Sequence, residues 1–274
     1  MEADQQKIRQ QIESISHKIV VLSGKGGVGK STVAVNLAVS LVQLGKRVGL
    51  LDIDIHGPSV PHILGVGPRY PDVTGTDDGG TVLQPVSVDG NLKVMSVGFL
   101  LEDRDAAVIW RGPMKYGVIK QFLRDVAWGT LDFLVVDSPP GTGDEPLSVI
   151  QLLEQVSGGI VVTTPQDVAL NDVRRSVSFC RKLEVPVIGV VENMSGFVCP
   201  ECGKETNIFS TGGGMAMARD MGVPFLGRVP IDPAVVQACD AGKPFVESYA
   251  DSPTSVAFRR IAAPVAAMDG AVDS

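Results

Sequence analysis

Cysteine is scarce in this sequence, because only four of its 274 residues are cysteines. A small fold held together by disulfides needs a much higher density, so that class of protein is excluded. The chain also lacks a run of about 18 apolar residues, which a membrane-spanning helix would need. The segment Met1–His17 is polar and has no apolar stretch typical of a signal peptide. These absences predict a soluble protein of a reducing compartment, the cytoplasm.

Positive charge is also in short supply. The 24 Lys and Arg residues are outnumbered by 31 Asp and Glu residues, and the formal net charge is −7. Nucleic-acid binding depends on basic side chains that neutralise phosphates, so this balance disfavours a nucleic-acid partner. Hydrophobic residues, in contrast, make up 44% of the chain, which is enough to form a large core and excludes a disordered protein.

Short apolar strands alternate with helix-length segments along most of the chain. The predicted strands are Lys18–Ser23, Arg47–Asp52, Leu92–Val97, Asp132–Asp137, Gly159–Thr163, Val187–Val191 and Phe225–Arg228. The predicted helices are Ser31–Leu44, Met114–Val126, Glu145–Val156, Asp167–Leu183, Gly213–Met221, Pro233–Ala241 and Thr254–Ala267. Strands that are almost entirely apolar are typical of a parallel sheet buried on both faces. The alternation therefore predicts an α/β fold: a doubly wound, mostly parallel sheet flanked by helices.

Two segments interrupt the alternation. Gly65–Gly90 is rich in Gly, Pro and Asp, which predicts a long mobile loop or a small hairpin. Asn193–Gly214 contains two of the cysteines and a run of three glycines, and insertions of this kind are often functional.

No repeat or linker divides the chain, so we predict a single domain over residues 18–268. Residues 1–17 form an N-terminal extension in this prediction, and residues 269–274 form a tail. Ile8, Ile12 and Ile15 occur at helical spacing, which indicates an amphipathic helix that packs on the domain.

A glycine-rich phosphate-binding motif follows the first predicted strand. Gly24-Lys25-Gly26-Gly27-Val28-Gly29-Lys30-Ser31 matches G-x-x-x-x-G-K-[S/T] and precedes a helix, the context that the motif requires. The glycines let backbone N–H groups point at phosphate oxygens, and the helix N-terminus adds partial positive charge. We expect Lys30 to neutralise the β- and γ-phosphates, Ser31 to bind Mg²⁺, and Thr32 to belong to the nucleotide-binding residues. A glycine-rich turn that serves packing alone is the alternative.

Three aspartates at the ends of predicted strands complete the expected site. Asp52 ends the second strand, Asp54 comes two residues later, and Asp137 ends the fourth strand. Ligands of open α/β sheets gather at the carboxyl ends of strands, so we expect these side chains to lie together. Asp137 is expected to hold Mg²⁺ through a water molecule, Asp52 to support the metal shell and Asp54 to orient the attacking water. The alternative for each is an aspartate that caps a helix or turn.

The motif contains an additional lysine near its start. From the residues alone, Lys25 is equally compatible with a solvated loop lysine. Lys25-Gly26-Gly27-Val28-Gly29-Lys30-Ser31 nevertheless resembles the deviant P-loop of the MinD/ParA-type ATPases. In that class the early lysine reaches the phosphates bound by the partner subunit. The resemblance implies a homodimer with nucleotide between its subunits, in which Lys25 acts in catalysis with Lys30 and Asp54.

Cys199-Pro200-Glu201-Cys202-Gly203 is a knuckle that presents two sulfurs to one metal. Zinc ribbons use such knuckles in pairs and tetrathiolate iron–sulfur clusters need four sulfurs, whereas this chain has one pair. Cys180 and Cys239 fall within predicted helices, where we expect inert core thiols. Two chains related by a twofold axis would bring four thiolates together. A redox disulfide, a structural zinc shared across a dimer and a packed turn are the alternatives.

With the cysteine pair included, the chain from about Lys18 to Ala267 resembles the Mrp/ApbC-type iron–sulfur cluster carrier ATPases. The matching blocks, besides the P-loop and the knuckle, are Asp52-Ile53-Asp54-Ile55-His56-Gly57-Pro58-Ser59, Trp110-Arg111-Gly112-Pro113-Met114, Asp137-Ser138-Pro139-Pro140-Gly141-Thr142-Gly143-Asp144, Thr163-Thr164-Pro165-Gln166, Asn193-Met194-Ser195-Gly196-Phe197, Met217-Ala218 and Gly222-Val223-Pro224-Phe225-Leu226-Gly227. The eukaryotic branch carries an extra N-terminal four-cysteine motif that Met1–His17 lacks, so this chain resembles the short form.

This resemblance implies slow ATP hydrolysis and a labile [4Fe–4S] cluster that Cys199 and Cys202 of two subunits hold between them. It further implies transfer of that cluster to apo iron–sulfur proteins. It also implies that Asn193 reads the adenine, helped by the turn Pro230-Ile231-Asp232. We expect coupling between the two sites to pass through the segment after Asp137.

A MinD-like positioning or ParA-like partitioning ATPase, with a structural zinc at the cysteine pair, is the alternative function. A MinD-like protein is expected to end in a basic amphipathic helix, whereas Phe258–Pro264 is interrupted by proline and followed by acidic residues. A ParA-like protein needs Lys/Arg clusters, which the net charge disfavours. A zinc-bridged dimer without enzymatic activity would not need Asp54 and Lys25. We therefore expect neither a membrane nor a nucleic-acid partner, leave Arg111 without a role, and interpret His56 as a structural turn residue.

Overall fold

The computed structural model describes residues 2–67, 71–75, 81–100, 112–199, 201–202 and 204–270. The helices are α1 (Glu2–Glu13), α2 (Lys30–Gln43), α3 (Val60–Ile63), α4 (Gly112–Asp125), α5 (Asp144–Leu153), α6 (Asp167–Lys182), α7 (Gly213–Asp220), α8 (Pro233–Asp240), α9 (Phe245–Ser248) and α10 (Pro253–Ala266). The strands are β1 (Ile15–Ser23), β2 (Val48–Asp52), β3 (Val73–Gly75), β4 (Thr81–Leu83), β5 (Val86–Asp89), β6 (Leu92–Ser96), β7 (Leu131–Asp137), β8 (Gly158–Thr163), β9 (Val187–Glu192), β10 (Phe197–Val198), β11 (Glu205–Thr206) and β12 (Phe225–Arg228). Within these residues, no helix is both long enough and apolar enough to cross a lipid bilayer.

One eight-stranded sheet organises the molecule, in the order β12-β9-β8-β1-β7-β2-β6-β5. All of its neighbouring strands are parallel except β5, which pairs antiparallel with β6 at one edge. Each of the seven predicted strands belongs to this sheet, and helices flank it. The predicted doubly wound, mostly parallel α/β fold is therefore confirmed.

The central strands are buried along almost their whole length, because both faces of the sheet are covered. β2 and β8 consist entirely of buried residues, and β7 has a single partly exposed position. Helix α2 contributes ten buried residues to this core. It ends where the sequence predicts, because Gly45 adopts a φ of 82° and its N–H donates to the carbonyl of Val42 at 2.8 Å.

The N-terminal segment differs from the prediction in one respect. Ile8 and Ile12 are buried on α1, which packs against α4, as the helical spacing indicates. Ile15, however, belongs to β1 and pairs in register with Leu131, so its assignment to the amphipathic helix is wrong. The strand begins three residues earlier than expected because Ile15 and His17 pair in register with Leu131 and Phe133 of β7.

The predicted loop over Gly65–Gly90 contains regular structure in its described part. β3 and β4 form a two-stranded antiparallel sheet, in agreement with the small-hairpin alternative. β5 joins the main sheet, which the sequence did not indicate. Residues 68–70 and 76–80 lie outside the described residues.

The topology places three strand ends side by side. β1, β7 and β2 are adjacent in the sheet, and Asp137 is in register with Val21 on one side and Asp52 on the other. Parallel neighbours end at the same edge, so the P-loop that follows β1 lies next to both aspartates.

Candidate functional site: a phosphate-binding loop and a cysteine hairpin

The P-loop curls around a cavity of about 240 Å³ at the carboxyl edge of the sheet. Its lining residues are Ser23, Lys25, Gly26, Gly27, Gly29, Lys30, Ser31, Thr32, Asp54, Gly57, Ser59 and Pro140. Gly29 has a φ of 78° and immediately precedes α2, a conformation that residues with a Cβ atom rarely adopt. The loop therefore places the N-terminus of a helix at the cavity, which favours bound anions.

Lys30 begins α2, and its ammonium group lies between two carboxylates. Its Nζ donates to Oδ1 of Asp137 at 2.5 Å and lies 3.2 Å from Oδ2 of Asp54. Burial alone would lower the pKa of Lys30, but the charges of Asp137 and Asp54 outweigh burial and raise it. Lys30 is therefore a permanent positive charge at the cavity, as its predicted role with phosphates requires.

Asp137 has one oxygen atom that makes no hydrogen bond. The residue is fully buried, and its Oδ2 has no hydrogen-bond partner among the described residues. Burial raises the pKa of Asp137, although the charge of Lys30 and hydrogen bonds from Lys30 and Ser31 oppose that rise. Ser31 and Asp137 are thus brought together, as predicted for a Mg²⁺ site, and the unused Oδ2 fits a water ligand of that ion.

Asp52 is fully buried beside Asp137, and both of its oxygens are already used. Oδ1 accepts from the N–H of Asp54 at 3.1 Å, and Oδ2 accepts from the hydroxyl of Ser96 at 2.8 Å and the N–H of Val60 at 3.3 Å. Burial and the neighbouring charge of Asp137 raise the pKa of Asp52 to about 8. Asp52 therefore suits the supporting role that was predicted for it.

The described residues contain no group of three or more His, Cys, Asp or Glu side chains arranged to hold a metal ion. Mg²⁺ commonly takes only one or two protein ligands and completes its octahedron with water and phosphate oxygens. The serine and carboxylate present here match that smaller set of ligands.

Asp54 lines the cavity and is the best-placed carboxylate to contact a water molecule there. Its Oδ2 faces Lys30, and its Oδ1 accepts from the N–H of His56 at 3.3 Å. The ring of His56 lies 3.2 Å from the carboxylate of Glu145, which also forms a 2.5 Å hydrogen bond with Lys115. Sequence reasoning missed Glu145 and Lys115, although each adjoins one of the matching blocks.

Lys25 is a partly exposed residue at the cavity. Its carbonyl accepts a hydrogen bond from the hydroxyl of Ser23 at 2.9 Å, which orients the first turn of the loop. Its ammonium group has no ion-pair partner in the described part of the chain. The side chain can therefore extend from the surface of the subunit. That it contacts nucleotide bound by a second subunit stays a prediction.

The three predicted adenine-contacting residues are not in one cluster of hydrogen bonds. Asn193 lies against the P-loop, where its Nδ2 donates to the carbonyl of Val28 at 2.9 Å. Asp232 caps α8 by accepting from the N–H of Ala234 and also accepts from the hydroxyl of Thr254. Pro230 lies between Val229 and Ile231, which hydrogen-bond the segment just after β9. Adenine recognition by these residues stays a prediction.

The cysteine pair lies on a small hairpin. β10 and β11 pair antiparallel, and the N–H of Cys199 donates to the carbonyl of Lys204 at 3.0 Å. Backbone N–H groups of Cys202 and Glu201, with the thiol of Cys202, lower the pKa of Cys199. A lower thiol pKa increases the thiolate fraction, which is the form that binds metals. Cys202 is exposed, whereas Pro200 and Gly203 lie outside the described residues.

The other two cysteines are packed side chains. Cys180 is fully buried in the core, and burial raises the pKa of its thiol to about 11. Cys239 is half-buried, and burial likewise raises its pKa, although its thiol hydrogen-bonds Thr32. The expectation that both are inert thiols agrees with these positions. Cys202 is the exposed thiol and Cys199 is the one with a lowered pKa, so these two are the thiols best suited to bind a metal.

Comparison with known proteins gives a consistent result. Residues 14–266 match the ParA family described as the NUBPL iron-transfer P-loop NTPase. A protein of Methanocaldococcus jannaschii named "Iron-sulfur cluster carrier protein" is 49% identical over 255 residues, which cover 93% of this chain and 86% of that protein.

Two solved structures resemble this chain. A nucleotide-binding protein from Archaeoglobus fulgidus, in complex with ADP and with cobalt found by PIXE, is 38% identical with a TM-score of 0.76, covering 88% of this chain and 92% of that one. The cell division ATPase MinD of Pyrococcus furiosus shares the fold with a TM-score of 0.64 at 24% identity, covering 92% and 99%. The chain belongs to the ParA family of NUBPL-type iron-transfer P-loop NTPases.

Proposed function

We propose that this chain is an ATP-dependent iron–sulfur cluster carrier that acts as a homodimer. The observation that carries the proposal is the combination of a P-loop site with two available surface thiols that form half of a tetrathiolate site. The similarity to the carrier of Methanocaldococcus jannaschii supports the same conclusion. The proposed location is the cytoplasm, and the proposed partners are apo iron–sulfur proteins.

The nucleotide site in this proposal binds ATP through the backbone of Gly24–Thr32, with Lys30 at the β- and γ-phosphates. Ser31 and Asp137 would hold Mg²⁺, which when bound neutralises phosphate charge. Asp54 orients the attacking water, and Lys25 of the partner subunit completes the site. Two lysines at one set of phosphates stabilise the charge of phosphoryl transfer. Hydrolysis is expected to be slow, because the nucleotide acts as a switch for the dimer.

The [4Fe–4S] cluster is cargo in this proposal. Cys199 and Cys202 from each of two chains would supply four thiolates, one to each iron. Transfer exchanges these thiolates for those of the recipient, so each iron–sulfur bond to the carrier is replaced by one to the recipient and no electron is transferred. A hairpin with an exposed thiol allows the recipient to approach the cluster.

Anaerobic reconstitution with iron and sulfide tests this function. We expect about four iron and four sulfide ions per dimer, lost in the double variant Cys199→Ala/Cys202→Ala. Cys239→Ala is the matched control, because it removes a half-buried thiol and leaves the pair intact. Zinc without sulfide in the wild-type protein would contradict the carrier function and favour a positioning or partitioning ATPase with a structural zinc.

A further inference from the structure

A buried carboxylate connects the two ends of the segment that carries the cysteines, residues 196–211. Glu192, the last residue of β9, is fully buried and accepts three hydrogen bonds. Its Oε1 accepts from the hydroxyl of Ser195 at 2.5 Å and from the N–H of Gly212 at 2.9 Å, and its Oε2 accepts from the N–H of Gly214 at 2.5 Å. One side chain therefore joins the chain just before the cysteine segment to the chain just after it.

The surroundings of Glu192 are built for a carboxylate of this length. The two backbone donors lie at the start of α7, where the helix dipole favours negative charge and offsets the cost of burial. A Cβ atom at Gly214 would lie 2.9 Å from Oε2 of Glu192, so the helix approaches the carboxylate closely. Shortening or neutralising this side chain would leave buried N–H donors unpaired.

Further contacts hold the two ends of the cysteine segment together. The hydroxyls of Ser195 and Thr211 lie 3.1 Å apart, and Arg228 donates to Thr211 at 2.8 Å. The N–H of Ile231 donates to the carbonyl of Gly196 at 2.7 Å. Glu192 and Ser195 are the buried polar side chains of this group of contacts, and Glu192 is the charged one.

The residue after Glu192 contacts the P-loop directly. Asn193 donates from Nδ2 to the carbonyl of Val28, and a Cβ atom at Gly29 would lie 2.2 Å from that same nitrogen. The N–H of Asn193 donates to the carbonyl of Thr163 at 2.7 Å, which fixes its backbone to the sheet. A displacement of Val28 or Gly29 must therefore move Asn193 or break its hydrogen bond.

We propose that Glu192 is a positioning residue for the thiols of Cys199 and Cys202, and that the Glu192–Asn193 pair links them to the P-loop. The inference rests on the proposed carrier function, since it concerns how the cluster site responds to nucleotide. It adds a second coupling route to the one predicted from sequence, which passes through the segment after Asp137. Two consecutive residues connect the two sites: Asn193 hydrogen-bonds the P-loop, and Glu192 hydrogen-bonds both ends of the cysteine segment.

Glu192→Gln is the variant that tests this proposal, because it keeps the side-chain shape and turns one acceptor oxygen into a donor. Asp220→Asn is the matched control, since it removes an exposed carboxylate, paired with Arg174, from the opposite end of α7. Two measurements apply to each protein. One is the rate of cluster loss to a chelator after reconstitution. The other is the alkylation rate of Cys199 and Cys202 in the apo-protein, resolved by peptide mass spectrometry, with and without a non-hydrolysable ATP analogue and Mg²⁺.

In the wild-type protein we expect the analogue to change the alkylation rate of the pair. In Glu192→Gln we expect that dependence to disappear and cluster loss to become about tenfold faster, as when a supporting hydrogen bond of a metal site is lost. Affinity for the analogue should stay within about twofold of the wild type, because Glu192 does not line the nucleotide cavity. Asp220→Asn should behave as the wild type.

Wild-type behaviour of Glu192→Gln in both measurements would overturn the inference, and so would equal effects of Asp220→Asn. If Glu192→Gln does not fold, Ser195→Ala decides, since it removes one donor to Glu192 and keeps the carboxylate. In Ser195→Ala we expect cluster loss to become about threefold faster and the effect of the analogue on alkylation to become smaller. Wild-type behaviour in both measurements would overturn the inference. A wild-type protein that takes up no iron and sulfide would instead contradict the carrier function, and alkylation would still decide the role of Glu192.

Discussion

Lys30 and Asp137 are 107 positions apart in the chain, and their charged groups meet at 2.5 Å. Lys30 begins the helix after β1, and Asp137 ends β7, the neighbouring strand in the sheet. The contact joins the lysine that we propose for the β- and γ-phosphates to the carboxylate that we propose for Mg²⁺. It also keeps Lys30 charged in a place where burial alone would favour the neutral amine.

Lys30→Ala should abolish nucleotide binding and spare the cluster. The loss of the ammonium removes charge-assisted hydrogen bonds to the phosphates, so we expect ATP affinity to fall by about 100-fold or more. Calorimetric titration with ATP and Mg²⁺ measures this effect, with the exposed Lys182→Ala as control. Iron and sulfide content after reconstitution should stay at the wild-type level. Loss of the cluster in Lys30→Ala would show that the two sites cannot be separated.

Asp137→Asn should remove the benefit of Mg²⁺ for nucleotide binding. The amide is a far poorer partner for a hydrated Mg²⁺ ion than a carboxylate, so we expect Mg²⁺ to change ATP affinity by less than about twofold in the variant. Asp132→Asn, near the other end of the same strand and paired with Arg47, is the control and should retain the Mg²⁺ effect. An undiminished Mg²⁺ effect in Asp137→Asn would rule out Asp137 as the ion's carboxylate.

Lys25 should act on nucleotide bound by the partner subunit, and mixed dimers can show this. We expect Lys25→Ala and Asp54→Asn to be inactive alone as ATPases. Each mixed dimer would contain one intact site, formed by the Asp54 of one variant and the Lys25 of the other. Random mixing in equal amounts should therefore restore about a quarter of the wild-type rate. No recovery on mixing, with mixed dimers verified by mass spectrometry, would place Lys25 in its own subunit's site.

Glu145→Gln should destabilise the protein slightly at neutral pH and not in acid. Burial raises the pKa of Glu145, but hydrogen bonds from Lys115 and His56 outweigh burial and hold this pKa below its ordinary value of 4.5. A depressed carboxylate pKa adds stability above the ordinary pKa, and that stability is lost as the pH falls through the folded-state value. We expect a deficit below about 1 kcal/mol at pH 7 in urea unfolding. A deficit that grows on acidification would contradict this assignment.

The fold and the phosphate site were predictable because their signals are local. Seven of the eight strands of the sheet were identified from apolar runs, and the P-loop from eight consecutive residues between a strand and a helix. Cys180 was recognised as a core thiol from its apolar neighbours within one helix. Pairs of distant residues were harder to predict: Glu145 and Lys115 are 30 positions apart, and nothing in their spacing indicates that they meet at His56.

One error arose where a residue's role depended on its packing partner. Ile15 fits the helical period of α1, but pairing with Leu131 places it in β1. For Asp232 the structure shows hydrogen bonds from Ala234 of α8 and Thr254 of α10. Its part in adenine recognition stays a prediction. Arg111, which received no role, lies outside the described residues.

The strand–helix alternation, the phosphate-binding loop and the cysteine pair could be predicted from the sequence, because each depends on spacing over a few residues. Only the folded chain shows which carboxylates contact Lys30 and that Glu192 connects the two ends of the cysteine segment. Those relationships depend on strand order and on helix placement against the sheet. Spacing and periodicity do not reveal these contacts, because they form only when residues far apart in the chain pack together.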